Sequence, residues 1–346
     1  MSQRGAFTHQ EILSQPEAWA ETLELVSSYR REIKALFHGG HYEQVVFTGC
    51  GSTHYLSLAA AALFQELVGI PARGIPASEI WLSPASSLLS KGRMLLVAVS
   101  RSGETTETLR ACQVFQELSR GEILTLSGYP ERALANTGTL NLVFPAAQEQ
   151  SIAQTRAFSS LYLAAVALAG LWADRQDVLS ELERLPEAGR NLIEDCSGYV
   201  RELGNDLSLE RFYFLGSGAR YGLACELSLK MKEMSLSHSE PFHFLEFRHG
   251  PKSMVNEQTL IIGMLAEQNF RYEKTVMEEM HSLGAKTLAI AEHHGDIVFN
   301  SQGSEVTRNV LYLPVGQLLA FERSLAKGLD PDRPHQLDAV VKLEAR

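Results

Sequence analysis

Short apolar runs alternate along the first half of this chain with longer segments of mixed polarity. The runs are rich in β-branched and other apolar residues, and they lie at Val45–Thr48, Met94–Val99, Ile123–Ser127 and Leu142–Phe144. The intervening segments have the length and the 3.6-residue periodicity of amphipathic helices. Alternation of this kind predicts a parallel sheet with helices on both faces.

A second series of runs repeats the order of the first. It comprises Phe212–Leu215, Leu260–Leu265, Leu288–Ala291 and Val310–Leu313. The offset is nearly constant, because Gly49 matches Gly216 at 167 residues and Phe144 matches Leu313 at 169. We therefore predict an α/β protein of two tandem doubly wound, flavodoxin-like αβα domains related by duplication. Two unrelated strand series of similar spacing are the alternative.

The remaining segments are predicted to be helical or terminal. Residues 9–37 carry an amphipathic stripe, and residues 155–194 form a long helical stretch that breaks near Pro186. Residues 161–172 are the most apolar stretch, too short to cross a bilayer, and they predict a buried helix. The predicted division is a helical segment 1–34, a first domain 35–180, a second domain 200–330 and a tail 331–346.

Composition narrows the possible partners. The 346 residues are 45% hydrophobic and carry a net charge of −10, with dispersed basic residues, which argues against nucleic acid. The four cysteines show no paired spacing, and no secretory signal or metal-binding motif is evident, so we expect a cytoplasmic protein without metal or cofactor.

The loop after the second run is rich in hydroxyl groups. Ser100, Ser102 and Thr105 surround Gly103 where the next helix begins, and free N–H groups and the helix dipole favour an anion there. This pattern predicts a site for a phosphate monoester, to which Arg101 either adds charge or points elsewhere. Simple helix capping is the alternative, although a cap needs only one such residue.

Two comparisons within the sequence restrict this prediction. The position 167 residues after Ser100 is Glu267, whose carboxylate would repel phosphate, so only the first domain is expected to hold the anion. The loop Gly49–Thr53 is followed by His54, where a dinucleotide fingerprint needs glycine, and the sequence has no P-loop motif. Neither a dinucleotide nor a nucleoside triphosphate is therefore expected as the ligand.

Charged residues in the second half form a further candidate site. Glu226, Lys230 and Glu233 are spaced to share one face of a helix, which either lines a cleft or is a solvated, salt-bridged surface. His249 lies in a predicted turn between Arg248 and Gly250, and its imidazole suits proton transfer near neutral pH. An ordinary surface histidine is the alternative.

Taken together, these motifs resemble the SIS (sugar isomerase) family, in particular the isomerase half of glucosamine-6-phosphate synthase. The resemblance covers nearly the whole chain. Its opening stretch, Ile12 to Trp19, looks closer to the AgaS-like branch of amino-sugar-phosphate isomerases and deaminases. The matching elements are Gly49–Ser52, Ser100–Thr105, Thr155–Phe158, Glu226–Glu233, Arg248–Pro251 and Pro331–Leu337.

The resemblance implies a role for each matching residue. The phosphate would be held by Ser52, Ser100, Arg101, Ser102 and Thr105, and the sugar would be lined by Cys50, Gly51 and Gln154. Glu233 would be the base that moves a proton between C1 and C2 of the open-chain sugar. Lys230 would orient or polarise that sugar, and Glu226 would support the network. His249 would assist ring opening from a neighbouring subunit, which implies a homodimer.

Two departures from the family pattern limit the reaction. Ala339 stands where the synthase has a lysine that forms a Schiff base, and Lys342 follows three residues later. The chain also enters the isomerase region directly, so glutamine is not expected as its ammonia source. The expected activity is aldose–ketose isomerisation of an amino-sugar 6-phosphate, with or without deamination. A fructosamine-6-phosphate deglycase and a non-catalytic sugar-phosphate sensor are the alternatives.

Overall fold

A computed structural model describes residues 4–88, 91–341 and 343. Within these residues, ten strands form two five-stranded parallel sheets. The first sheet contains β1 (Gln44–Gly49), β2 (Ala72–Pro76), β3 (Met94–Ser100), β4 (Gly121–Ser127) and β5 (Leu140–Val143). The second sheet contains β6 (Arg211–Leu215), β7 (His238–Phe242), β8 (Thr259–Met264), β9 (Lys286–Ala291) and β10 (Ile297–Val298).

The two sheets have the same topology. Their spatial orders are β2-β1-β3-β4-β5 and β7-β6-β8-β9-β10, so each strand has a counterpart at the same place in the other sheet. This is the flavodoxin-type order, in which the strand order reverses between the first and third strands. The predicted duplication of a doubly wound αβα fold is confirmed.

Helices connect the strands and flank the sheets. In chain order they are α1 (Ala6–Leu13), α2 (Gln15–Ser28), α3 (Arg30–Gly40), α4 (Ser52–Val68), α5 (Ala77–Leu82), α6 (Pro84–Ser87), α7 (Thr106–Glu117), α8 (Arg156–Trp172), α9 (Gln176–Leu182), α10 (Leu185–Asn205), α11 (Ala219–Ser235), α12 (Phe244–Phe247), α13 (Phe270–Ser282), α14 (Glu305–Arg308) and α15 (Tyr312–Ala326). The predicted helical stretches 9–37 and 155–194 are therefore each divided into three helices. Across the described residues, none of these helices combines the length and the apolar character that crossing a bilayer requires.

One predicted strand is wrong. Residues 310–313 lie in a 3-10 turn (Asn309–Leu311) and the start of α15, whereas the fifth strand of the second sheet is β10, which pairs with β9. A run of four apolar residues suits a buried helix as well as a buried strand, and this run is buried throughout. Pro314 is compatible with the helix because it lies in the first turn, where the N–H has no intrahelical partner.

The described chain divides into two compact units that interleave along the sequence. The first-sheet unit contains residues 17–149, 156–183 and those from 338 onward, and the second-sheet unit contains residues up to 16, 150–155 and 184–337. The helical segment 1–34 thus contributes to both units, and the segment after residue 330 does so as well.

The central strands are the most buried elements of the first-sheet unit. Every residue of β1 and β3 is buried, and α8 is buried from Ala157 to Leu171, as predicted for this apolar segment. Trp19 of α2 packs in the same core, and its indole donates a hydrogen bond of 2.8 Å to Ser159 Oγ of α8. Full burial of such side chains stabilises a fold by roughly 1.5–3 kcal/mol each. A rigid base therefore supports the loops at the carboxyl ends of the strands.

Candidate active site

Three hydroxyl groups converge where β3 ends. Ser100 is the last residue of the strand, and its Oγ lies 3.1 Å from Thr105 Oγ1. Ser102 Oγ lies 3.5 Å from each of these two oxygens. Gly103 reverses the chain between them with a φ of +67°, a conformation that favours glycine. The loop therefore gathers polar donors at the N-terminus of α7.

Helix capping does not explain this arrangement. Thr105 is the N-cap residue of α7, yet its side chain makes no capping hydrogen bond. Ser100 Oγ accepts from the N–H of Gly103 at 3.2 Å, and Ser102 Oγ accepts from the N–H of Glu104 at 3.3 Å. The hydroxyls thus shape the loop itself, and they stand beside the positive end of the helix dipole, where an anion is stabilised.

The loop at residues 48–53, here called the glycine loop, lies beside residues 100–105, here called the hydroxyl loop. β1 and β3 are neighbours, and Thr48 pairs with Ala98, so Cys50 is level with Ser100 along the sheet. Gly51 has a φ of +55° and a ψ of −122°, which only glycine adopts readily, and it precedes the buried Ser52 at the start of α4. This edge is the topological switch point of the sheet, where ligands of such folds bind.

The Cys50 thiol is in its neutral form at physiological pH. Burial raises its pKa to about 11, and its sulfur lies 3.7 Å from Thr108 Oγ1. A neutral thiol is a weak hydrogen-bond donor and a poor nucleophile. Cys50 can therefore line a ligand site, but the structure does not activate it for covalent chemistry.

Arg101 is directed to a carboxylate of the protein. Its Nη1 lies 3.0 Å from Glu149 Oε2, and its Nη2 donates to the carbonyl of Ala339 at 3.3 Å. Glu149 Oε1 also accepts from the N–H of Ala157, in the first turn of α8, at 3.1 Å. This pair joins the hydroxyl loop to α8 and to the C-terminal segment. Sequence reasoning missed Glu149, because no periodicity or motif connects it to Arg101, 48 residues away.

The C-terminal segment contacts the N-terminal part of α7 as well. The N–H of Leu343 donates to Thr106 Oγ1 at 3.2 Å. Ala339, the residue at the position of the family lysine, contributes only its carbonyl to the Arg101 contact. Lys342 lies outside the described residues.

In the second-sheet unit, the predicted row of charged residues on α11 (Glu226, Lys230 and Glu233) is largely buried. The side chains of Glu226 and Lys230 are 0% and 1% exposed, whereas that of Glu233 is 18% exposed. Lys230 Nζ lies 3.4 Å from Glu226 Oε1 and also donates to Glu233 Oε2. The alternative of a solvated, salt-bridged surface is therefore wrong. Two buried groups hold one partly accessible carboxylate.

The charge of Lys230 is maintained despite its burial. Burial alone would lower its pKa, but the carboxylates of Glu226 and Glu233 outweigh that effect and raise the pKa above its ordinary value. A lysine held as a cation cannot act as a nucleophilic amine at neutral pH. It can orient Glu233 and stabilise negative charge that develops near it.

His249 lies in a turn, as predicted, and its side chain is exposed. Its N–H donates to the carbonyl of Glu246 at 2.9 Å, and the following Gly250 has a φ of +113°. Flanking basic residues hold the turn on α13, because Arg248 Nε and Lys252 Nζ lie 2.7 and 2.8 Å from the Glu279 carboxylate.

The predicted site residues divide between the two units. The first-sheet unit contains Cys50, Gly51, Ser52, Ser100, Arg101, Ser102 and Thr105. The second-sheet unit contains Gln154, Glu226, Lys230, Glu233 and His249. Gln154 is half-buried, and its Oε1 has no hydrogen-bond partner among the described residues.

Comparison with known proteins identifies relatives of the whole chain. The SIS domain family model matches residues 41–171 and 208–316. The isomerizing glutamine–fructose-6-phosphate aminotransferase of Acidithiobacillus ferridurans is 30% identical over 98% of this chain, and that of Methanothermobacter thermautotrophicus is 28% identical over 99%. This chain spans 59% of the length of each of these relatives.

Solved structures with the same fold cover both units. The crystal structure of glucosamine-6-phosphate deaminase from Thermotoga maritima is 30% identical, with a TM-score of 0.83 over 98% of this chain and 100% of that one. The tagatose-6-phosphate ketose/aldose isomerase from Escherichia coli gives a TM-score of 0.86 over 96% of this chain and 98% of that one. At 21% identity, the latter similarity shows the fold alone.

Proposed function

This chain belongs to the SIS domain family, and from that premise we propose that it is a sugar-phosphate isomerase and deaminase. Its substrate is an amino-sugar 6-phosphate in the open-chain form, and its chemistry is proton transfer by a protein carboxylate. The names of its relatives support the substrate class, since they include enzymes of fructose 6-phosphate and glucosamine 6-phosphate.

The observation that carries this proposal is the Glu233 carboxylate. It is the partly accessible end of a buried charged row, and the Lys230 ammonium fixes its position. A general base must be oriented and reachable by the substrate, and Glu233 combines both properties, since Lys230 Nζ donates to it and its side chain is 18% exposed.

The phosphate binds at the hydroxyl loop. Ser100, Ser102 and Thr105 supply neutral donors, and the N-terminus of α7 supplies a favourable field. Arg101, whose charge faces Glu149, acts as a positioning residue for this loop. A phosphate held at one end of the sugar fixes the distance to C1 and C2, so that binding energy is used to orient the reacting carbons.

The reaction then proceeds in balanced steps. His249 moves a proton from the anomeric hydroxyl to the ring oxygen, and the ring opens to the aldehyde. Glu233 removes the proton at C2 and returns it to C1, while one proton passes from the amine nitrogen to O1, which converts a 2-amino aldose into the 2-imine of the ketose. Water adds to C2 and ammonia leaves, giving the ketose phosphate. Lys230 stabilises the charge that develops on the enediol-type intermediate.

Ala339 favours this route over amino transfer. A Schiff base with the ketose needs a lysine amine at the position that Ala339 occupies, and Lys230 is held as a cation. Ammonia is therefore a product in this proposal.

The assembly and location belong to the same proposal. His249 is exposed in this chain, which is consistent with its serving the site of a second subunit in a homodimer. All four cysteines are free thiols, which is consistent with a reducing compartment such as the cytoplasm.

The test is turnover of defined amino-sugar phosphates. Purified protein is incubated with glucosamine-, galactosamine- and fructosamine-6-phosphate, and ammonia and ketose are measured separately. Equal amounts of ammonia and ketose from a 2-amino aldose support the proposal. Turnover of fructosamine-6-phosphate alone identifies a deglycase. A rise in melting temperature without turnover identifies a sensor, and either of these outcomes overturns the proposal.

A further inference from the structure

The second sheet has a counterpart of the hydroxyl loop. It is the segment from Leu265 to Asn269, which follows β8 just as Ser100–Thr105 follows β3, and it leads into α13. The backbone of the neighbouring glycine loop is also reproduced. Gly218 has a φ of +61° and a ψ of −135°, against +55° and −122° at Gly51. The second unit thus retains the backbone framework of an anion site.

A side chain of the protein occupies this framework. Glu305 Oε1 accepts from the N–H of Gln268 in the loop at 2.7 Å. Its Oε2 lies 3.4 Å from Arg220 Nη1, and Arg308 Nη2 lies 3.8 Å from its Oε1. A loop N–H and two guanidinium groups that are 6% and 2% exposed form the donor set expected around a bound oxyanion.

We propose that Glu305 is an internal anion that fills a latent oxyanion site in the second-sheet unit, a site able to take phosphate when that carboxylate is removed. Arg220 supports this assignment, because it is 5% exposed and its Nε has no hydrogen-bond acceptor among the described residues. A buried Nε–H without an acceptor shows that the surrounding carboxylates do not satisfy every donor of the Arg220 guanidinium. The comparison with Ser100–Thr105 rests on the phosphate site proposed above, whereas the contacts of Glu305 stand without it.

The segment that carries Glu305 is held in place from the sheet. Glu292, next to the end of β9, accepts from Ser301 Oγ and from the N–H of Gln302, both at 2.8 Å. Arg308 Nη1 donates to the carbonyl of Gly303 at 2.7 Å. These contacts hold residues 301–308 beside the loop at residues 265–269, so that the Glu305 carboxylate is positioned to accept from that loop.

Other charges face the same place. Glu273 pairs with Arg220 at 3.0 Å and accepts from the N–H of Ala266. Glu267 pairs with Arg308 at 2.7 Å on the exposed rim, and the buried Glu292 Oε2 lies 4.0 Å from Arg308 Nε. Removing the Glu305 carboxylate leaves the two guanidinium groups with less negative charge around them. A monovalent oxyanion from solution restores the charge balance that the native chain has.

The test is rescue of Glu305→Ala by an anion. Melting temperatures of the Ser102→Ala protein, as the reference, and of Ser102→Ala/Glu305→Ala are measured in inorganic phosphate and in chloride at equal ionic strength, because Ser102→Ala weakens the first site. We expect the double variant to melt lower in chloride and to gain roughly 3 °C more from phosphate than the reference does. Equal gains for both proteins, or a double variant as stable as the reference in chloride, would overturn the proposal.

Two further variants make the result specific. Glu305→Gln keeps the shape and the acceptor, so phosphate is expected to rescue it less than it rescues Glu305→Ala. Glu278→Ala removes an exposed acid of α13 and is expected to gain no more from phosphate than the protein that keeps Glu278. If Glu305→Ala does not fold in chloride, the yield of folded protein on refolding in phosphate against chloride is the readout, and equal yields contradict the proposal.

Discussion

Arg101 and Glu149 form a buried ion pair, with Nη1 3.0 Å from Oε2 and side chains that are 6% and 0% exposed. The pair joins a loop that follows β3 to the segment that precedes α8. The Arg101 guanidinium, which the sequence suggested as a partner of the phosphate, therefore pairs with Glu149 and holds the hydroxyl loop in place. In the proposed function, the hydroxyls of Ser100, Ser102 and Thr105 are then the groups that contact the phosphate.

The first prediction concerns this pair. Glu149→Gln leaves a buried guanidinium without its counter-charge and is expected to cost about 3–5 kcal/mol of unfolding free energy. The double variant Arg101→Gln/Glu149→Gln is expected to lose less than the sum of the single variants, because the partners no longer depend on each other. Chemical denaturation of the four proteins measures the coupling. Additive losses contradict it, and Glu278→Gln, at an exposed pair, serves as the control.

The second prediction concerns the hydroxyl loop. Ser102→Ala and Thr105→Ala each remove a donor to a charged group, so the KM of a sugar phosphate is expected to rise roughly 10- to 100-fold. The unphosphorylated sugar, a poor substrate in any case, is expected to be affected little. Steady-state kinetics on both sugars gives the ratio. Ser86→Ala, an exposed serine of the same unit, is the matched control.

The third prediction concerns Glu233. Glu233→Gln keeps the shape of the side chain but removes its basicity, so kcat is expected to fall by roughly 10²- to 10⁴-fold with binding of the sugar phosphate largely intact. Exchange of the C2 proton with deuterated solvent, followed by NMR, reports the step directly. A Gln variant that exchanges this proton at the native rate refutes the assignment, and Glu202→Gln, exposed on α10, is the control.

The fourth prediction concerns the dependence of stability on pH. Burial raises the pKa of Cys50 and Cys225 to about 11 and that of Cys112 and Cys196 to about 12, from an unfolded value of 9.0. Above pH 9 the unfolded chain releases these protons first, so the native state binds more protons and stability falls as pH rises. The contribution of each thiol is complete below pH 9 and is lost progressively as pH rises through its folded pKa.

Melting temperatures between pH 7 and 11 measure this effect. A constant melting temperature up to pH 8.5 and a decline above pH 9 are expected, with thiolate absorbance appearing in the native protein only near pH 11. Thiolate absorbance in the folded protein at pH 9 contradicts the raised pKa values.

Hydrophobic patterning alone was sufficient to predict the central strands and the doubly wound fold. The runs that became β1, β3, β4, β6, β8 and β9 are continuous and apolar because these strands are buried on both faces of a parallel sheet. The three strands that sequence analysis missed, β2, β7 and β10, are all edge strands. They are short or contain proline, and an edge strand needs no continuous apolar run. Periodicity therefore detected every internal strand and one edge strand, β5, but not the other three edge strands.

The sequence also identified the hydroxyl loop and the spacing of Glu226, Lys230 and Glu233, because each depends on neighbours within a few residues. The pairing of Arg101 with Glu149 became evident only from the folded chain, because Glu149 is distant in sequence and belongs to no motif. Only the tertiary structure showed that the charged row of α11 is buried and that Glu305 occupies the loop after β8. Local patterns encode helices, strands and turns, whereas the partner of a charge depends on which distant segments the fold brings together.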